Sequence, residues 1–96
     1  MVDDRILTLH PAGKQGVNIE RSKYDLIRQA IVISLQQRDE IPFGELDAAV
    51  AANLSVPFDG SIGWYTTTVK LDLEASGVIE RVPGRSPQVI RLAQAS

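Results

Sequence analysis

The passage that most constrains this chain runs Trp64-Tyr-Thr-Thr-Thr-Val-Lys-Leu-Asp-Leu-Glu-Ala-Ser-Gly77 and continues Val78-Ile-Glu-Arg-Val-Pro-Gly-Arg85. At about 100° per residue, Ile62, Tyr65, Thr66, Val69 and Leu73 share one face, with Ser76 beside them. That spacing predicts a helix from near Ser61 to Gly77, its inner side pressed on a core. Gly77 has the position of the glycine that closes a helix in left-handed backbone. The residues after it change period. Residues 78–82 and 89–92 are short and rich in valine and isoleucine, and Pro83-Gly-Arg-Ser-Pro-Gln88 lies between them. They predict an antiparallel hairpin.

Working back from that helix, residues 23–38 carry Tyr24, Ile27, Ile31 and Leu35 on one helical face, with Leu26, Ala30 and Ile33 widening the stripe. Ser22 is placed as an N-cap and Asp25 gives a near-match to a capping box. Ile41-Pro-Phe43 is too short and too proline-marked for a helix and suits a small strand. Residues 44–54 form the next helix, with Leu46, Ala49, Val50 and Leu54 on one side, and residues 55–60 are its exit turn. Residues 1–21 read as an arm and loop: a short apolar piece, Ile6-Leu-Thr-Leu9, that suits a strand or an arm laid on the domain, then the turn-rich His10-Pro-Ala-Gly-Lys-Gln-Gly16. At 96 residues there is one core and one domain, at 22–93, with a tail at 94–96. The expected fold is α+β. Three helices, a tiny strand after the first and a carboxyl-terminal hairpin follow the order of a winged helix-turn-helix, here with an amino-terminal arm.

The stretch Thr68-Val-Lys-Leu-Asp-Leu-Glu-Ala-Ser-Gly-Val-Ile-Glu-Arg-Val-Pro-Gly84 resembles the passage from third helix to wing in MarR- and PadR-like winged-helix regulators. There a leucine four residues before a glycine is followed by an apolar pair, an arginine and a turn. Leu73, Gly77, Val78-Ile79 and Arg81 match it, specifically over about residues 66–84. The whole chain, including His10 to Ile19 and Asp59-Gly-Ser-Ile-Gly-Trp-Tyr65, is also similar to a family of small uncharacterised bacterial winged-helix proteins. That likeness implies the fold and supplies no function. The first likeness implies a transcription regulator that binds double-stranded DNA through its third helix and wing.

Several chemistries are excluded by composition. There is no cysteine and a single histidine, His10, so thiolate and multi-histidine metal sites cannot form within one chain. No cofactor is expected. Gly13-Lys14-Gln15-Gly16 does not match a phosphate loop, and no motif supplies a nucleophile for His10 to activate. A loop whose imidazole satisfies backbone groups is the simpler reading, and the chain is read as non-enzymatic. No apolar run approaches the ~20 residues of a membrane span, and Met1-Val-Asp-Asp-Arg5 lacks the layout of a signal peptide, so a cytoplasmic location is expected. The acids near the start of the second helix, Asp39, Glu40, Glu45 and Asp47, suit its dipole.

Net charge is −2, and it is unevenly spread. Residues 39–69 hold five acids and no Lys or Arg, whereas residues 70–96 hold Lys70, Arg81, Arg85 and Arg91 against three acids. Any polyanion would therefore meet the carboxyl-terminal part. Two functions follow. In the first, a homodimeric regulator, Thr67, Thr68, Lys70, Arg81, Arg85 and Arg91 contact DNA. In the second, an interaction module without DNA, the apolar outward stripe of Trp64, Leu71 and Ala75 packs on a second copy, on a protein partner or on the chain's own arm.

Overall fold

The computed structural model describes residues 5–10, 12–13 and 16–93. The fold is α+β, with three helices and two small antiparallel sheets. The elements are β1 (Arg5–Leu7), β2 (Asn18–Glu20), α1 (Arg21–Gln37), β3 (Ile41–Pro42), α2 (Phe43–Asn53), α3 (Ile62–Ala75), β4 (Ile79–Arg81) and β5 (Val89–Leu92).

The apolar stripes assigned from the sequence meet in one core. Ile27, Ile31, Leu35, Leu46, Val50, Val69 and Leu73 are all fully or almost fully buried, and Ile41, Ile79 and Ile90 join them from the strands. Thr66 is buried with this set, and Ile62 and Tyr65 pack against it. Ser76 is exposed, not beside the core face; its amide bonds Asp72 O at 2.9 Å as the helix ends.

Both ends of α3 follow from local chemistry. Ser61 caps the start, its Oγ accepting the Trp64 amide at 3.2 Å. At the other end Gly77, with φ of +82°, lets the Val78 amide reach Leu73 O at 2.9 Å and its own amide reach Glu74 O at 3.2 Å. This paired bond pattern needs a residue that tolerates positive φ, and it turns the chain directly into β4.

β5 is the centre of a three-stranded sheet. It pairs β4 through Ile79↔Leu92, Glu80↔Arg91 and Arg81↔Ile90, and β3 through Ile41↔Ile90 and Pro42↔Val89. Proline is accommodated because β3 is an edge strand.

The arm is more ordered than a loose extension. β1 and β2 pair antiparallel (Arg5↔Glu20, Ile6↔Ile19, Leu7↔Asn18), and Thr8 N continues the ladder to Val17 O at 2.9 Å. Ile19 is in the core and Ile6 packs against it. Gly16 is obligatory here, because a Cβ at that position would lie 1.6 Å from the Thr8 carbonyl oxygen. The strand at residues 18–20 follows the expected loop and corrects the N-cap. Helix α1 starts at Arg21 straight from β2, with Glu20 as the capping residue and no side-chain cap bond, so Ser22 lies inside the helix and exposed. Lys14 and the tail at 94–96 lie outside the described residues.

Candidate interface on the outer face of α3

Because α3 buries Thr66, Val69 and Leu73, its opposite face points outward, and Trp64, Thr68, Leu71 and Ala75 succeed one another along it at helical spacing. Trp64 is 48 % exposed, and its ring meets Tyr65 edge-on with centroids 4.9 Å apart. Thr67 and Ala75 are exposed, and Thr68 and Leu71 are half-buried.

What half-covers Thr68 and Leu71 is the arm. With Thr8, Leu9, His10, Gly16 and Val17 they line a shallow recess of about 80 Å³. Leu9 and Val17 remain 52 % and 38 % exposed, so the apolar strip of α3 continues onto the arm. His10 accepts the Ala12 amide on Nδ1 at 3.1 Å and the Gly13 amide on its carbonyl at 3.0 Å. Its imidazole thus organises the loop, as expected.

The basic residues are arranged differently from the expected phosphate-contacting surface. Lys70 is the clearest correction: it is 2 % exposed, ion-paired to Glu74, with Nζ 5.0 Å from the centroid of the Phe43 ring. Its position on α3 turns it toward α2, away from solvent. The remaining three each meet a carboxylate: Arg81 with Glu74 at 3.5 Å, Arg85 with Glu40 at 3.0 Å and Arg91 with Glu80 at 2.6 Å. All four bases from Lys70 onward therefore lie against the chain's own acids, with Lys70 and Arg81 sharing Glu74.

A second cluster escaped the sequence reading. Asp72 is 5 % exposed, accepting the Leu9 amide at 2.8 Å on one carboxylate oxygen and the Tyr24 hydroxyl on the other. It joins arm, α1 and α3 at one point. The Tyr24 phenol is pushed up to about 12 by burial, and then by the hydrogen bond and negative charge of Asp72; Arg28 opposes the shift. The available signal was the spacing of Asp72 three residues after Val69 and next to Leu73, which puts a carboxylate at the margin of a buried face.

No helix among the described residues is long and apolar enough to cross a membrane. No curated protein and no solved structure matches the chain. A family model does match, over residues 5–90, from β1 to the first half of β5. The chain belongs to the family of unknown function DUF6958.

Proposed function

We propose that this chain is a non-catalytic winged-helix module that docks a protein surface through the outer face of α3, and that it does not read DNA. The winged-helix assignment is supported by the order α1-β3-α2-α3-β4-β5 and by the sheet order β3-β5-β4, in which the strand between the first two helices closes onto the hairpin.

One observation carries the choice between the two functions. The residues that would hold phosphates are paired with acids, while the surface left open is apolar. Phosphate neutralisation supplies most of the affinity of a DNA reader, and it needs Lys or Arg free to replace counterions. Here Lys70 is buried, and Arg81, Arg85 and Arg91 each stand beside a carboxylate, so the hairpin presents little net positive charge to a phosphate. Thr67 and Thr68 could hydrogen-bond bases, but Trp64, Leu71 and Ala75 beside them offer base edges no donors or acceptors. An exposed, uncharged strip of that kind suits a protein contact.

The test is retention on heparin and on mixed-sequence duplex DNA at low salt. The expected outcome is elution with the unbound fraction. Retention that falls with salt and disappears in Arg85→Ala and Arg91→Ala would restore the regulator reading and reject this one.

A further inference from the structure

From its amino to its carboxyl end, the outward stripe of α3 alternates in size: Trp64 large, Thr68 small, Leu71 large, Ala75 small. We propose that a second copy of this chain docks on that stripe, with the two α3 helices antiparallel about a twofold axis level with the Val69–Lys70 peptide. In that register Trp64 lies opposite the second copy's Ala75, and Thr68 lies opposite the second copy's Leu71. The symmetry repeats each pair, so a large side chain meets a small one at all four levels. A shift by one helical turn loses this, setting Trp64 against Leu71 in one direction and Thr68 against Ala75 in the other.

The proposal rests on the interaction-module reading and names its partner. Two observations favour a second copy over an unrelated protein. The first is the alternation itself, which is complementary to its own reverse. The second is charge. This stripe has no ionisable side chain, so two copies, each of net charge −2, bring no like charges together along it. Leu9 and Val17, exposed on the arm beside Leu71, supply an apolar rim.

Light scattering and sedimentation equilibrium over a concentration series of the full chain test this. The expected mass at high concentration is that of two 10.5 kDa chains. Ala75→Trp sets tryptophan against the second copy's Trp64 and raises the dimer dissociation constant by at least ~30-fold, the size of a hot-spot residue's loss. Trp64→Ala weakens the dimer by leaving a gap. The double variant Trp64→Ala/Ala75→Trp exchanges large and small at both levels and recovers most of the lost affinity. Both positions are exposed in the single chain, so circular dichroism and urea midpoints confirm that each variant is folded. A native chain that stays monomeric to millimolar concentration would overturn the proposal, as would indifference to Ala75→Trp or a double variant no tighter than Ala75→Trp. A monomer that also ignores heparin defeats only the choice of partner, whereas salt-sensitive heparin retention defeats the interaction module itself.

Discussion

Helix α3 is fastened on its two sides by different chemistry. On the arm side a buried carboxylate, Asp72, takes one backbone N–H from Leu9 and one hydroxyl from Tyr24. On the hairpin side one ion pair crosses to α3, from Arg81, whose side chain is 58 % exposed, to Glu74, which also pairs with buried Lys70 within the helix. Beyond it, Arg85–Glu40 and Arg91–Glu80 lie partly or largely in water. Hydrogen bonds to a buried charge strengthen in low dielectric and are costly to leave unmade. Exposed pairs are screened and contribute little. The arm is therefore part of the fold, whereas the hairpin's arginines mainly cancel acids that would otherwise face the same solvent.

The sharpest way to break this contrast is Asp72→Ala. It leaves the Leu9 amide and the Tyr24 hydroxyl without their acceptor at a site largely withdrawn from water. The expected loss is about 3 kcal/mol of unfolding free energy, measured by urea denaturation. Hydrogen exchange at the Leu9 amide should accelerate along with it. A loss below that of the exposed arginine pairs would show that the arm is held by apolar packing of Ile6 and Ile19 alone.

Tyr24→Phe takes the same contact apart from the other side and is expected to cost about 1 kcal/mol, because Asp72 keeps its bond to Leu9. It also changes the response to alkali. The Tyr24 phenol rises from 10.0 to about 12 on folding, so the native state holds that proton more tightly than the unfolded chain. The stabilisation is fully present below the unfolded value and is lost as pH climbs from 10.0 to about 12. In Tyr24→Phe that part of the alkaline decline should vanish, seen as a flatter urea midpoint across the window. An unchanged decline would assign it to other groups.

Which parts of this molecule were legible in the sequence follows the same division. Stripes such as Ile27-Ile31-Leu35 and Thr66-Val69-Leu73 announced their buried faces, because burial of apolar area is additive along a helix and its period is fixed. Gly77 announced the end of α3 because few residues other than glycine tolerate its φ. The pairing of charges was not legible. Glu40 and Arg85 are 45 residues apart, and only the folded hairpin brings them together. Lys70 was taken for a solvent-facing base because sequence gives its angle on the helix but not Phe43 and Glu74 around it. The strand at residues 18–20 was missed for a related reason: three residues carry too little period to stand out, and the ladder depends on Gly16 letting Thr8 approach.

The smallest expected effect concerns the hairpin, and it joins stability to function. Arg85→Ala removes a pair whose side chains are 53 % and 39 % exposed, and Arg91→Ala removes one at 32 % and 40 %. Each should change unfolding free energy by about 0.5 kcal/mol or less, with the difference shrinking further as salt is raised. A loss of several kcal/mol in either variant would place that pair on the same footing as Asp72 and erase the contrast between arm and hairpin. The salt dependence separates the remaining cases. A paired arginine already has its counterion in the carboxylate, so adding salt screens an attraction and slightly lowers the stability of the native chain relative to the variant. An arginine repelled by its neighbours and kept free for phosphate would show the opposite trend, its native chain gaining from salt. The carboxylates at 2.6 and 3.0 Å favour the first outcome, and with it a hairpin whose charge is satisfied before any partner arrives.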